Sequence, residues 1–171
     1  FRRMRSRVGW VDFRYMSSSA ATIDNPEGEA LVGNIGHVTM AAKLGYKLRG
    51  DFGMNMFNSY GLELLQKLGF LSATASFELR LAQVRDMQKC IDTELIVYGR
   101  LPLMVSDQCV VSHAYGKCCC GNNIMLSDRK GSLFPVLREY DHRNAIYNAH
   151  KLFMADKAED IYSAGLWGQR L

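Results

Sequence analysis

Four of the chain's five cysteines lie within twelve positions, in the stretch CVVSHAYGKCCCGNN at residues 109–123. Thiolates in proteins bind zinc and hold iron–sulfur clusters. An odd number of cysteines, three of them consecutive, does not match the disulfide framework of a small secreted domain. From these residues alone three interpretations stay open: a structural zinc site, an iron–sulfur cluster, or thiols without a common role.

The same stretch contains the dipeptide Ser112-His113, which is a nucleophile next to a base. Side chains that are neighbours in sequence point in different directions, and a catalytic pair is recognised by geometry rather than by adjacency. The patterns G-x-S-x-G and H-E-x-x-H do not occur in the chain. The sequence therefore gives no support to a serine-protease or a zinc-protease mechanism.

Short polar side chains follow one of the predicted strands. Asp51, Asn55 and Asn58 come after the strand around LRGDFGMN, where they would either orient a substrate or cap and turn the chain. Glu78 comes shortly after Ser76, a predicted helix cap, so its carboxylate either complements the helix N-terminus or enters a pocket. These side chains are therefore candidate site residues, and the alternative is that they only cap helices or turn the chain.

Three arginines are candidate anion-binding groups. Arg100 follows a predicted strand, and Arg129 and Arg143 lie in the cysteine-rich part of the chain. Their planar guanidinium groups match carboxylates and phosphates. Ion pairing with acidic neighbours in the sequence is the structural alternative.

The elements that must position these residues follow a regular pattern. Four apolar runs recur roughly every 23 residues and predict buried strands, namely EALVGN, KLRGDFGMN, FLSATAS and TELIVYG. Between them lie predicted helices capped by Asn34, Ser59 and Ser76. This alternation predicts parallel β-α-β units in an α/β protein, with an open doubly wound sheet as the alternative. The repeat length suits a partial (β/α) barrel of the TIM type, since a whole barrel has about 250 residues.

The pattern changes after residue 104. Residues 105–148 lack a helical period, and two short β segments are predicted in LFPVLREY and AIYNAH. We interpret 105–148 as a cysteine-rich β insertion that leaves the C-terminal end of a strand, where barrel active sites lie. The predicted division of the chain is an unassigned segment 1–26, barrel units 27–104, the insertion 105–148, and a helix followed by the start of another strand in 149–171. That helix is expected to begin with a capping box of Asp156 and Glu159 and to end at Gly165.

Composition limits the class of protein. Of the 171 residues 48% are apolar and 22% are charged, which is typical of a folded globular chain. No apolar run approaches the roughly 18 to 20 residues that cross a bilayer, so we expect no membrane partner. The chain starts at Phe1 without a signal-peptide pattern, so we expect a cytoplasmic fragment of a larger protein. A net charge of +4, with four arginines among the first seven residues, allows contact with nucleic acid.

Five motifs in order resemble the collagenase-like peptidase family U32. They are GDFGMNMFNS (50–59), SATASFELRLAQVRD (72–86), DTELIVYGRLPLMVSDQC (92–109), LSDRKGSLFPV (126–136) and AGLWGQR (164–170), and the resemblance covers residues 28–171.

The resemblance implies an iron–sulfur cluster, of the 4Fe–4S type, on four cysteine positions. Cys109, Cys118 and Cys120 match three of them, and His142 stands at the fourth, just before Arg143-Asn144. We expect His142 to be the fourth ligand, because imidazole binds iron or zinc. The alternatives are that Cys119 is the fourth ligand or that the fourth position is lost and the site is degenerate. Zinc is the alternative metal.

The resemblance also implies two kinds of activity. Some members are described as collagen-degrading peptidases, whereas others hydroxylate bases in tRNA or rRNA, or the ring of a quinone, without molecular oxygen and with prephenate as the implicated oxygen donor. Cluster chemistry suits hydroxylation better than proteolysis. We therefore expect an iron–sulfur-dependent hydroxylase acting on RNA or a small aromatic, with a peptidase and a zinc-stabilised binding module as alternatives. The catalytic candidates are Glu78, Arg100 and Asn55, and the remaining half of the barrel and C-terminal domains would belong to the full-length protein.

Overall fold

The computed structural model of the protein describes residues 10–12, 28–118, 124–138 and 143–171. The chain divides into two compact units. The first unit comprises the described parts of Phe1–Val97 together with Met154–Leu171, and the second unit is Tyr98–Phe153. The predicted insertion, 105–148, falls within the second unit.

The secondary structure alternates between short strands and short helices. In the described ranges the strands are, in chain order, β1 Trp10–Asp12, β2 Glu29–Val32, β3 Lys47–Gly50, β4 Phe70–Thr74, β5 Asp92–Ile96, β6 Tyr98–Gly99, β7 Pro102–Ser106, β8 Ile124–Ser127, β9 Leu133–Arg138, β10 Asn144–Tyr147, β11 Leu152–Phe153 and β12 Gly168–Arg170. The α-helices there are α1 Val38–Lys43, α2 Ser59–Lys67, α3 Leu81–Asp86, α4 Val110–Tyr115 and α5 Ala158–Ser163, and the 3-10 helices are Ile35–His37, Phe52–Met54 and Ala155–Lys157.

The first unit contains a six-stranded sheet with the order β1-β2-β3-β4-β5-β12. Every neighbouring pair in it is parallel. The prediction that the four apolar runs form parallel strands adjacent in chain order is confirmed, and GQRL supplies the next strand. The α/β class is therefore confirmed. Closure into a TIM-type barrel is not observed, because among the described strands β1 and β12 are the two edges of the sheet and do not pair with each other.

The helices of the first unit cover the apolar side of this sheet. Strand residues alternate between the two faces, so Ala30 and Val32 on β2 and Leu48 on β3 meet the helices. One core consists of buried residues from β2, β3, β4, α1, α2 and the loops between them, among them Ala30, Val32, Ala41, Leu48, Leu62, Leu65 and Phe70. A second core joins α3 and α5 to the end of the sheet through Ala75, Val84, Leu95, Val97 and Ile161.

Two of the predicted helix caps can be compared with the observed ones. The Asn34 side chain accepts a hydrogen bond from the Gly36 N–H at 2.8 Å, so Asn34 is a cap as predicted, but it caps the 3-10 helix Ile35–His37. Helix α1 begins after this 3-10 helix, and its own N-cap, His37, makes no side-chain hydrogen bond. Helix α2 is capped by Asn58, whose Oδ1 accepts from the Gly61 N–H at 2.9 Å, and not by Ser59 as predicted. The boundary was misplaced by one residue because both side chains are good caps.

The helix predicted to follow Ser76 begins later than expected. Helix α3 starts at Leu81, and its N-cap, Arg80, donates its backbone N–H to the side-chain oxygen of Gln83 at 2.9 Å. Ser76 is buried and its hydroxyl accepts a weak hydrogen bond of 3.4 Å from the Glu78 N–H, which belongs to a turn. Glu78 therefore does not lie in the first turn of α3, and its predicted role at a helix N-terminus is wrong.

The predicted capping box at the start of α5 is also wrong. A 3-10 helix occupies the position of Asp156, the N-cap of α5 is Lys157, and this cap makes no side-chain hydrogen bond. Gly165 has a φ of 64° and ends α5 as predicted. Neither α5 nor any other helix in the described part of the chain is long and apolar enough to cross a membrane.

The second unit contains a four-stranded antiparallel sheet with the order β7-β10-β9-β8, and a two-stranded sheet of β6 and β11. The two β segments predicted in this part of the chain correspond to β9 and β10. Helix α4 was not predicted. Its sequence, VVSHAY, makes fewer than two turns, so no periodic pattern can reveal it.

Candidate functional site

Two of the predicted ligands, Cys109 and Cys118, lie side by side in the second unit. Their sulfur atoms are 3.8 Å apart, although the residues are nine positions apart in the chain. Cys109 is partly buried and Cys118 is exposed. We refer to these two thiols as the cysteine pair.

Helix α4 and the turn after it bring the cysteine pair together. Cys109 is the N-cap of α4, and its sulfur accepts a hydrogen bond from the Ser112 N–H at 3.3 Å. Gly116 ends the helix with a φ of 72° and donates its N–H to the Ser112 carbonyl oxygen. Glycine adopts this left-handed conformation without the steric penalty of a Cβ. The chain therefore reverses at Gly116 and returns Cys118 to the start of the helix.

Strand β10 anchors the start of α4. Asn144 is 1% exposed, and its Oδ1 accepts a hydrogen bond from the Val110 N–H at 2.9 Å. Its neighbour Arg143 forms a 2.8 Å ion pair with Asp107, just before the helix. The position of Cys109 is thus fixed by a buried side chain as well as by the helix. Asn144 was not predicted to have this role, although an asparagine within the apolar segment NAIY is a visible signal.

The distance between the two sulfurs is compatible with a shared metal ion. Two thiolates on one tetrahedral ion, with metal–sulfur bonds of about 2.3 Å, lie about 3.8 Å apart. A disulfide bond is much shorter, at about 2.05 Å. In a 4Fe–4S cluster each cysteine binds its own iron. The two sulfurs of the cysteine pair would therefore have to move further apart to hold such a cluster. The donor set fits a metal, and the short spacing fits one ion most directly.

The other predicted ligands are not described by the structure. Cys120, His142 and the alternative Cys119 lie outside the described residues, so their role stays a prediction. Within the described residues no three or more Cys, His, Asp or Glu side chains are grouped as metal ligands. Cys90 belongs to the first unit and packs against its core.

The dipeptide Ser112-His113 does not form a catalytic pair. Both residues lie on α4, where consecutive side chains diverge by about 100°. His113 is exposed, and the backbone N–H of Ser112 donates a hydrogen bond to the sulfur of Cys109. This observation agrees with the absence of a hydrolase motif in the sequence.

The first unit contains a different polar feature, a row of buried charged and hydroxyl side chains on one face of the parallel sheet. We call it the polar network, and its members are Glu29, Arg49, Asp51, Ser72, Thr74, Glu94 and Arg170. They share a face because parallel strands in register place paired residues on the same side, as for Arg49 with Ser72 and Thr74 with Glu94.

Arg49 is the central cation in one half of the polar network. Its Nε and Nη2 donate to the two carboxylate oxygens of Glu29 at 2.8 and 2.9 Å, and its Nη1 donates to the Ser72 hydroxyl at 2.9 Å. The ring of Trp167 covers the guanidinium at 5.0 Å from the ring centroid. Burial opposes the charged form, but the hydrogen bonds to Glu29 and the charges of Glu29 and Glu94 raise the pKa of Arg49 overall.

Arg170 is the cation in the other half. Its Nη1 donates to Asp51 Oδ1 and to the Thr74 hydroxyl, both at 2.6 Å. Its Nε lies 3.7 Å from Glu94 Oε2, and the Ser72 hydroxyl donates to the other Glu94 oxygen at 3.0 Å. Glu94 therefore joins the two halves.

Glu94 is a buried carboxyl group of the polar network. Its side chain is 5% exposed, and burial raises the pKa of its carboxyl group. The charge of Arg170, the Ser72 hydroxyl and the charge of Arg49 oppose this rise, and the charge of Asp51 adds to it. A buried carboxyl group with a raised pKa can hold a proton inside the unit.

Of the site candidates predicted from the sequence of the first unit, Asp51 alone belongs to the polar network. Asp51 is fully buried within it. Asn55 has a φ of 57° and ends the 3-10 helix Phe52–Met54, which matches its structural alternative as a turn residue. Asn58 likewise has a capping role. Glu78 is exposed and lies outside the network.

The three candidate arginines lie in the second unit. Arg100 donates through Nη1 to the backbone oxygens of Asn148 and Ala149, so it holds a loop. Arg143 pairs with Asp107, and Arg129 is exposed in a turn. In the described part of the chain no ion pair joins Arg129 to Asp128, whose Oδ1 accepts hydrogen bonds from the Lys130 and Ser132 N–H groups. The other acidic residues predicted to pair with the candidate arginines, Glu139 and Asp141, lie outside the described residues.

Four charged members of the polar network, Glu29, Arg49, Glu94 and Arg170, were missed by the sequence analysis, which named only Asp51. Each of the four lies inside a short strand, in EALV, KLRG, DTELI and GQR. A charge at an inner strand position is the signal that indicates a polar sheet face, because buried charges occur almost only in pairs.

Comparison with known proteins agrees with the resemblance noted from the sequence. The chain matches the model of peptidase family U32 over residues 22–133, which is more than half of its length. It belongs to peptidase family U32. No curated protein and no solved structure matches the chain.

Proposed function

We propose that this chain is the metal-binding part of a U32 protein that hydroxylates an RNA base or a small aromatic compound in an oxygen-independent, iron–sulfur-dependent reaction. The observation that carries the proposal is the convergence, at the start of α4, of Cys109 and Cys118, two of the cysteine positions that the family resemblance assigns to the cluster. The family resemblance supplies the reaction class, and the pair supplies adjacent thiols suited to hold iron.

Cys109 and Cys118 would hold the cluster, together with Cys120 and with His142 or Cys119. When bound, the cluster supplies electron transfer or an iron that binds a substrate oxygen. Asn144 and the Gly116 turn fix the direction from which the cysteine pair presents its sulfurs. A labile fourth ligand such as histidine would leave that iron accessible.

We further propose that residues 27–104 and 149–171 are units of a TIM-type barrel whose other strands belong to the rest of the protein. The parallel strands adjacent in chain order support this, because that order is the one a barrel requires. The substrate would be RNA or a small aromatic, and the oxygen donor an acidic molecule such as prephenate, which arginine can bind. The proposed location is the cytoplasm.

A zinc-stabilised binding module is the second candidate. The 3.8 Å spacing equals the separation of two thiolates on a single tetrahedral ion, and this specific observation favours zinc. The peptidase alternative has no comparable support, since Ser112 and His113 diverge on α4.

The proposed reaction is tested in cells grown without oxygen that carry the full-length protein or its Cys109→Ser variant. Nucleosides from tRNA and rRNA, and the quinone pool, are compared by mass spectrometry. We expect a product with one added oxygen atom that is present with the wild type and lost with the variant, while Cys90→Ser retains it. Unchanged nucleosides and quinones in all three strains, with peptide cleavage that survives Cys109→Ser, would contradict the proposal and favour a peptidase.

A further inference from the structure

The cysteine pair has the geometry of a dithiol that can close into a disulfide. The two sulfurs are 3.8 Å apart, and a disulfide bond of about 2.05 Å requires them to approach by less than 2 Å. Rotation of exposed or partly buried side chains supplies such a movement, and Cys118 is exposed. The pair is thus close enough to react and open enough to be reached.

The local fold holds the two cysteines in this arrangement independently of a metal. The Ser112 N–H bonds the Cys109 sulfur, Asn144 fixes the first peptide of α4, and Gly116 turns the chain back. The loop to be closed has only ten residues, from Cys109 to Cys118. The preformed turn therefore brings both thiols together at little cost in chain entropy.

We propose that Cys109 and Cys118 form a reversible disulfide whenever their thiols are without metal, and that this modification and metal binding exclude each other. The proposal goes beyond the proposed function, because it applies to iron and to zinc alike. A sulfur engaged in a disulfide is no longer a thiolate, and the thiolate is the form that binds metal.

Hydrogen peroxide is the oxidant that the proposal requires. The sulfur of the exposed thiol, Cys118, attacks one peroxide oxygen, the O–O bond breaks, and a sulfenic acid and one water form. The Cys109 sulfur then displaces the hydroxyl group from the Cys118 sulfur, and this hydroxyl leaves with the Cys109 proton as a second water. Two thiols have lost two hydrogen atoms, and one peroxide has become two waters. A dithiol reductant returns two electrons and two protons.

Peptide mapping tests the proposal on the whole chain. Metal is removed with a chelator, peroxide is added, remaining thiols are alkylated, and the protein is cut with trypsin. Cleavage after Arg100, Lys117 and Arg129 separates Cys109, in 101–117, from Cys118, in 118–129, and Cys90 falls in a third peptide. A Cys119→Ser/Cys120→Ser variant leaves Cys118 as the only thiol of its peptide.

We expect 101–117 and 118–129 to be linked, with the loss of two hydrogen atoms, in the wild type and in the double variant. The link should disappear with a dithiol reductant and when Cys118→Ser is added to the double variant, and it should persist in Cys90→Ser. Oxidised chain should take up at least tenfold less zinc than reduced chain. Full alkylation of Cys109 and Cys118 after peroxide, or equal zinc uptake before and after oxidation, overturns the proposal. Neither result depends on hydroxylase activity, so failure of the proposed function remains distinguishable.

Discussion

Single residues with unusual surroundings define the cysteine pair and the polar network. In the second unit a helix cap, Cys109, and an exposed cysteine meet because Gly116 can adopt a positive φ. In the first unit Glu94 lies between two arginines, and burial still raises the pKa of its carboxyl group. The sequence pattern revealed the cysteines, whose chemistry is unmistakable. It did not reveal Glu94, because one acidic residue in a strand is recognised as buried only when its partners are known.

The raised pKa of Glu94 predicts a specific pH dependence of stability. The folded state binds the Glu94 proton more tightly than the unfolded state, where the carboxyl group has its ordinary pKa of about 4.3. The folded chain therefore carries more protons above that pH, and the Glu94 contribution to stability decreases as pH rises through the folded-state pKa. Glu94→Gln removes this titration. We expect the free energy of unfolding of the wild type, relative to Glu94→Gln, to fall as pH increases above about 4.3.

Urea denaturation from acid to neutral pH measures this difference. Glu159→Gln is the matched control, because Glu159 is an exposed residue on α5, and its difference from the wild type should change less with pH. A wild-type advantage over Glu94→Gln that grows with pH would mean that the arginines outweigh burial. The assigned direction of the pKa shift would then be wrong.

At the scale of elements, the sequence predicted the central strands of the first unit well, missed β7 and β8 in the second unit, and placed the helix boundaries poorly. The runs around EALV, KLRG, FLSAT and DTELI are apolar and regularly spaced, so the parallel order followed from the short connections between them. Helix ends depend on single hydrogen bonds. Asn58 and Ser59 are equally suitable caps by type, and a six-residue helix such as α4 has no period to detect.

The strands of the first unit are joined by side chains as well as by their backbones. Arg49, on β3, bonds Glu29 on β2 and Ser72 on β4, and its side chain is 6% exposed. Arg49→Met leaves a carboxylate without its cation, and breaking a buried pair costs about 3 kcal/mol. We expect a loss of that size in the free energy of unfolding, measured by urea denaturation.

Two further variants identify the cause of this loss. Arg85→Met makes the same chemical change in the exposed pair with Asp86, and we expect a much smaller effect. Combining Arg49→Met with Glu29→Leu removes both charges and should recover part of the loss. Equal effects of Arg49→Met and Arg85→Met would contradict a stabilising role for the polar network.

For the whole molecule, membership of peptidase family U32 is the firmest conclusion, and it rests on residues 22–133. The sequence predicted this family from motif order, and it predicted the convergence of Cys109 and Cys118. Their identity as metal ligands stays a prediction, as do Cys120 and His142. The cofactor was not predictable from spacing alone, because zinc and iron–sulfur sites use the same thiolates. The two sulfurs, at 3.8 Å, match a single ion most directly.

Metal analysis of the protein purified without oxygen tests the central claim most directly. Iron, acid-labile sulfide and zinc are quantified per chain, and visible absorption is recorded, for the wild type, Cys118→Ser and Cys90→Ser. The account predicts iron and sulfide in about equal amounts with broad visible absorption in the wild type and Cys90→Ser, and their loss in Cys118→Ser. One zinc per chain without sulfide, or iron and sulfide that Cys118→Ser retains in full, would contradict an iron–sulfur cluster on the cysteine pair.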